Sequence, residues 1–140
     1  VNAEVTRDGQ MQHGAEALVV EDDPDARRLL AACLGRLGLR VHEAATASSA
    51  IAALECLTPD VLCVDLRLPD GSGFTICEHV RRTPRLRDVP VLVISALSQP
   101  IDRDQAQAAG ADGYLTKPIR ASALAQSVRE LLALSAVAGS

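Results

Sequence analysis

The sequence predicts a doubly wound α/β fold built on a five-stranded parallel sheet. Five short apolar runs alternate with five segments of helical character along 140 residues. The third run is apolar on consecutive positions, the pattern of a strand buried on both faces. Glycine and proline punctuate the joints between them. This length suits one domain with a full-sized core.

Residues 1–15 are polar and without apolar period, and read as a flexible tail or linker. Ala17–Glu21 (ALVVE) is the first strand. Asp23 is placed as the N-cap of a first helix with Pro24 at its first position. Leu29, Leu30, Cys33, Leu34 and Leu37 form that helix's apolar face, and Gly38 stops it. Arg40–Ala44 is the second strand and Ala47–Leu57 the second helix, packed through Ile51 and Leu54, with Pro59 ending the unit. Val61–Asp65 (VLCVD) is the third strand. A loop holding Pro69, Gly71 and Gly73 leads into a helix through Val80. Pro84 and Pro90 bracket a polar connection to the fourth strand, Val91–Ser95 (VLVIS). Asp102–Ala109 is a weakly amphipathic helix and Gly113–Leu115 a short fifth strand. Ala121–Leu134 is the last helix, with Leu124, Val128, Leu131 and Leu132 at helical spacing, followed by a tail over 136–140.

Composition narrows the function classes. A net charge of −4 gives no general attraction to nucleic acid or anionic membranes. Phe74 and Tyr114, the two aromatics, make no stacking platform for bases. The segment RRTPRLR (81–87) holds four arginines in seven residues and reads as a solvated helix end with its loop. No apolar run approaches a membrane span, and no signal peptide opens the chain. Cys33, Cys56, Cys63 and Cys77 lack metal-ligand spacing and read as small apolar residues in a reducing, cytoplasmic setting. His42 and His79 read as surface or half-buried residues.

An open parallel sheet binds ligands outside the carboxyl ends of its strands. The first strand ends in Glu21, Asp22 and Asp23, the third in Asp65 and the fourth in Ser95; the fifth is followed by Lys117 and Pro118. In strand order 2-1-3-4-5 these converge on one edge. Taken singly, acidic residues at strand ends serve as loop or capping residues. The conjunction of four strand ends points to chemistry. Carboxylates crowded together resist ionisation unless a cation joins them, and oxygen donors suit a hard ion such as Mg²⁺ or Mn²⁺. A carboxylate facing that ion, a hydroxyl and an ammonium is a suitable acceptor for a phosphoryl group.

These segments resemble response-regulator receiver domains. ALVVEDDPDARRLL is similar to their acidic opening, VLCVDLRLPDGSGF to their phosphoacceptor segment, VLVISA to their Ser/Thr-Ala step, and AAGADGYLTKPI to their aromatic-x-x-Lys-Pro step. The resemblance covers roughly residues 16–134 and implies a flavodoxin-like receiver domain over 16–135. It implies that Asp65 takes a phosphoryl group from a histidine kinase or histidine phosphotransfer protein. Asp22 and the Arg67 carbonyl would bind Mg²⁺ with Asp65, and Glu21 would do so mainly through water. Ser95 and Lys117 would hold phosphoryl oxygens, Tyr114 would be the aromatic switch, and the Lys117–Pro118 bond is often cis. The domain would be no enzyme beyond its own phosphorylation and dephosphorylation. It would signal to a downstream effector through helix four, strand five and helix five.

Gly113, Ala123 and Ser127 stand uncharged where winged-helix relatives carry ion-pairing residues, so a charge-paired dimer through that face is not expected. Arg67 stands two residues after the acceptor, where its guanidinium either shields the phosphoryl group, assists its hydrolysis, or pairs with Asp70. The alternative function is a pseudo-receiver that binds partners without phosphorylation. An Asp-nucleophile phosphatase would need a second acid at position 67, and a dinucleotide-binding domain would need glycines where Glu21–Asp23 stand. The sequence leaves three placements open: a stand-alone regulator, a hybrid-kinase receiver, or part of a larger regulator.

Overall fold

The computed structural model describes residues 14–138, with side chains through 135. In chain order the elements are β1 (Glu16–Val20), α1 (Pro24–Arg36), β2 (Arg40–Ala44), α2 (Ala47–Cys56), β3 (Val61–Val64), β4 (Arg67–Leu68), β5 (Gly71–Ser72), α3 (Gly73–Arg82), β6 (Val91–Ser95), α4 (Pro100–Ala109), β7 (Gly113–Thr116) and α5 (Ala121–Ala138). The main sheet has the order β2-β1-β3-β6-β7, all pairs parallel, which is the predicted 2-1-3-4-5 arrangement. β4 and β5 form a separate two-stranded hairpin after β3.

Alternation along the strands builds two cores. Leu18, Val20, Leu62, Val64, Val91 and Val93 face a cluster completed by α2, α3 and α4. Ala17, Val19, Val61, Cys63, Leu92 and Ile94 face a second cluster completed by α1 and α5. Each fully buried aliphatic side chain contributes about 1.5–3 kcal/mol, so covering both faces is what stabilises a sheet this apolar. All four cysteines are free; Cys33, Cys63 and Cys77 are buried as apolar filler, whereas Cys56, the last residue of α2, is exposed, and burial pushes the Cys63 thiol to about 12 and Cys77 to about 11.

Several boundaries and faces differ from expectation. β1 and β3 stop one residue before the carboxylates predicted to end them, so Glu21 and Asp65 lie just beyond the ladder. α4 begins at Pro100 rather than at Asp102, because Asp102 reaches back to accept from the Gln99 N–H at 3.0 Å. α5 runs on to Ala138, through residues that offer no break until Gly139. Ala15, placed in the predicted tail, is packed and accepts from the Arg40 N–H; 1–13 and 139–140 lie outside the described residues. Leu29 is 56% exposed, so α1 packs through Leu30, Cys33 and Leu34 instead. α2 buries Ala47, Ala50 and Leu54, with Ile51 only half-buried.

The arginine-rich segment is a correction of a different kind. Arg81 donates to the Gly110, Arg87 and Val89 carbonyls and pairs with Asp112 at 2.6 Å, while Asp112 also accepts from the Val91 N–H. Gly110 closes α4 at φ +113, and a Cβ there would collide with the Arg81 stem. Arg85 donates to the Leu54 and Leu57 carbonyls at the end of α2, where a cation also complements the helix dipole. Two of the four arginines are therefore structural ties rather than solvated charges.

Replacing Arg81 with Met keeps the stem and removes the tie, leaving carbonyls without partners. Urea unfolding of Arg81→Met is expected to show a loss of about 2 kcal/mol. Arg82→Met, which breaks only an exposed pair with Glu78, should cost less than about 0.5 kcal/mol.

Candidate functional site: an acidic pocket at the sheet edge

The parallel register delivers the site. Val20 lies opposite Val64, so the next residue on each strand, Glu21 and Asp65, emerges side by side. The Asp65 N–H donates to the Val20 carbonyl at 3.0 Å, and the Glu21 N–H donates to the Ala44 carbonyl at 3.0 Å. Ser95 lies opposite Thr116, and the Lys117 N–H donates to the Ser95 carbonyl at 2.8 Å. The Lys117–Pro118 bond is cis.

Lys117 bridges the two carboxylates. Its ammonium donates to Asp65 Oδ2 at 2.8 Å and to Glu21 Oε1. Glu21 is 1% exposed and Asp65 7%, while Asp22 is open to solvent. Glu21 Oε2 accepts from the Asp23 N–H, and Asp65 Oδ1 from the Arg67 N–H at 3.1 Å. Burial holds the Glu21 carboxyl above the ordinary carboxylate range; the Lys117 hydrogen bond opposes this and the Asp65 charge adds to it. Burial works to lower the Lys117 pKa, but hydrogen bonds to Asp65 and Glu21 outweigh it and hold the ammonium above its ordinary value.

Carboxylate oxygens of Glu21, Asp22 and Asp65 lie within 4.8 Å of one another. Three carboxylates facing one ammonium leave two negative charges uncompensated. An all-oxygen donor set with that charge fits a hard divalent cation. Among the described residues it is the one such cluster.

The structure also places the residues predicted for the switch. Ser95 is fully buried, and its Oγ accepts from the Leu97 N–H at 3.2 Å. Tyr114 donates its hydroxyl to the Leu97 carbonyl at 2.6 Å. One residue, Leu97, therefore holds both hydroxyls. The Arg103 guanidinium stacks over the Tyr114 ring, 4.8 Å from its centre, and donates to Thr116. Arg67 is exposed and does not pair with Asp70, whose two oxygens are taken by the N–H groups of Ala47 and Ser48.

Sequence reasoning missed three contributors. Arg27, on the first turn of α1, donates to the Glu21 carbonyl at 2.9 Å and pairs with Glu43. Leu97 acts through its backbone, which leaves no mark in the sequence. Gly73 abuts the Asp65 backbone so closely that a Cβ would collide with its carbonyl; its place in a Gly-bearing loop was the one available signal.

Residues 17–129 match the family model described as a response regulator receiver domain. The chain is 39% identical over 115 residues to the DNA-binding dual master transcriptional regulator RpaA of Synechocystis, covering 82% of this chain and 48% of that protein. It is 33% identical to the phosphate regulon transcriptional regulatory protein PhoB of Escherichia coli, covering 82% of this chain and 50% of that one. The chain thus spans about half the length of these curated relatives. Among solved structures it is similar to the receiver domain of a Pseudomonas aeruginosa sensor histidine kinase, which has magnesium coordinated in its active-site cleft. That likeness has a TM-score of 0.80 at 30% identity and covers 86% of this chain and 99% of that one. It is also similar to the chemotaxis response regulator CheY4 of Vibrio cholerae, with a TM-score of 0.81 at 26% identity over 85% of this chain and 99% of that one.

The bridge predicts a pH window. The Lys117 contribution is present below the ordinary lysine pKa and lost as pH rises through the raised one. A carboxylate partner is lost at the acid end, as Glu21 protonates at its own raised pKa. Without divalent cations, Lys117→Met should therefore be less stable than the parent between those two limits. The melting-temperature deficit should close towards both ends. A deficit independent of pH would rule out the charge bridge as its cause.

Proposed function

The chain belongs to the response regulator receiver family, and from that premise we propose that Asp65 is the phosphoacceptor of a two-component or phosphorelay pathway. The observation that carries this is the ammonium of Lys117 bridging Asp65 and Glu21 within a three-carboxylate pocket at the sheet edge. A carboxylate oxygen of Asp65 attacks phosphorus, the bond to a donor histidine nitrogen breaks, and an acyl phosphate forms; water later hydrolyses it. Asp22, Asp65 and the Arg67 carbonyl are the residues that would hold Mg²⁺ or Mn²⁺ directly, with Glu21 acting mainly through water. When bound, the cation supplies charge to offset that gathering on the phosphoryl oxygens. Lys117 supplies the protein's own cation beside the acceptor, and the Ser95 hydroxyl is placed to hold a phosphoryl oxygen. The domain would act on no substrate but its own phosphoryl group, inside the cell. No helix among the described residues is long and apolar enough to cross a membrane.

A phosphodonor protein must bring its histidine to Asp65, and the rim beside Lys117 offers an apolar landing. Ala26, Leu29, Leu30, Ile94, Pro118 and Ile119 line a groove of about 480 Å³ there. The exposed Leu29 belongs to this surface, which supports docking of a histidine kinase or phosphotransfer protein on α1. Output to an effector protein or domain would run from Ser95 through Leu97 to Tyr114, on the face made by α4, β7 and α5. The pseudo-receiver alternative is disfavoured by the completeness of the pocket.

With Mg²⁺ and acetyl phosphate, the parent should gain one phosphoryl group by intact mass, and Asp65→Asn and Asp22→Ala should gain none. An undiminished adduct on Asp65→Asn would sink the assignment. Arg67 is read as a shield that pairs with a phosphoryl oxygen across the path of attacking water. Once loaded, Arg67→Asn should lose the group faster than the parent at fixed Mg²⁺; slower loss would show that the arginine assists hydrolysis.

A further inference from the structure

The β4–β5 hairpin carries the chain from Asp65 to α3. Its ladder is short: Arg67 pairs with Ser72 and Leu68 with Gly71. A two-pair hairpin has little stability of its own, yet Arg67 within it donates to Asp65 Oδ1. Something outside the hairpin must fix it.

The base is fixed by Gly73, whose N–H donates to the Leu66 carbonyl at 3.0 Å and whose Cα lies against the Asp65 backbone. The tip is fixed by Asp70. Its two carboxylate oxygens accept from the N–H groups of Ala47 at 2.7 Å and Ser48 at 2.9 Å. Those are the first two residues of α2, and helix N-termini leave such donors without intrahelical partners. The third, Ser49 N–H, goes to Thr46 Oγ1, and Ala50 N–H begins the helical ladder on the Thr46 carbonyl. Asp70 thus caps α2 from more than twenty residues away, while Thr46 supplies the local cap. Its carboxyl is held below the ordinary range by the Ser48 and Ala47 amides.

The contact also closes a ring around the pocket. From Asp65 the hairpin leads to Asp70, across to Ala47, back along three residues to Ala44, and by the Ala44 carbonyl to the Glu21 N–H. Glu21 returns to Asp65 through the Lys117 ammonium. The two acidic walls are therefore joined by backbone and Asp70 on one side and by Lys117 on the other.

We infer that Asp70 is a positioning residue for the acceptor pocket: by capping α2 from the hairpin tip, it fixes the Arg67 backbone beside Asp65. This rests on the acceptor reading of Asp65. Loss of the cap loosens the loop that would supply one cation ligand and lie over the phosphoryl group, while the sheet and both cores stay as they are.

The experiment compares Asp70→Ala, Asp70→Asn and Thr46→Ala, the last removing the local cap of the same helix without touching the hairpin. Mn²⁺ affinity is read by electron paramagnetic resonance of the free ion, acyl-phosphate lifetime by mass after acetyl phosphate loading, and stability by urea unfolding. In Asp70→Ala, Mn²⁺ affinity should fall about ten-fold, the low end for residues that orient metal ligands, and the phosphoryl group should be lost several-fold faster. Asp70→Asn keeps one acceptor oxygen and should fall between; it carries the test should the alanine variant not fold. Thr46→Ala should lose stability while keeping parental affinity and lifetime. Asp70 and Thr46 variants alike in both would overturn the proposal and leave Asp70 an ordinary cap. A parent that takes no phosphoryl group would instead remove the acceptor reading, and the Mn²⁺ comparison alone would then decide the role of Asp70.

Discussion

The constraint on which the molecule depends is that a parallel sheet gathers the carboxyl ends of all its strands on one edge. Here β1 and β3 are adjacent and in register up to Val20 and Val64, so two carboxylates emerge together into a half-enclosed space. Nothing in the sheet relieves their repulsion. Lys117, arriving from the far side by way of β7, does so. The ammonium compensates only part of the charge, because Asp22 and one carboxylate remain in excess. The pocket is therefore left ready for a divalent cation by the same packing that buries it.

The neighbouring polar contacts are of a different kind. Around the charged centre, positions are fixed largely through backbone groups, with the Arg27 guanidinium as a further ion. Arg27 holds the Glu21 carbonyl, Arg67 N–H holds Asp65, and Leu97 holds Ser95 and Tyr114 through its N–H and its carbonyl. Leu97 thus meets hydroxyls from two different elements, Ser95 through its N–H and Tyr114 through its carbonyl.

What the sequence made legible follows from how local each signal is. The strands were legible because β-branched runs buried on both faces are apolar without interruption, as in VLCV and VLVIS. The site was legible because strand order alone brings Glu21, Asp65, Ser95 and Lys117 to one edge. Interactions between distant segments were not. Arg81 and Arg85 looked like a solvated cluster, since a sequence does not show that carbonyls at Gly110 and Leu54 await them. Leu29 fits the helical period of α1, yet it turns to the rim of the pocket rather than to the core. Periodicity gives the direction of a face but not where the neighbouring helix ends.

Asp70 shows the same limit at the finest scale. In sequence it is an aspartate that follows proline within a glycine-bearing loop, a place that favours turns. Its second role requires α2 to begin opposite the turn, which only the packing of α2 against the sheet supplies. The turn and the helix start each lack something alone: the hairpin has two pairs and no stable register, and the helix has amide donors with no partner. One carboxylate satisfies both deficits. The hairpin follows Asp65, and the start of α2 follows Ala44, whose carbonyl accepts from the Glu21 N–H, so one contact ties both sides of the acidic pocket. On this proposal the geometry of the charged centre is set partly by a residue that touches neither Asp65 nor Lys117.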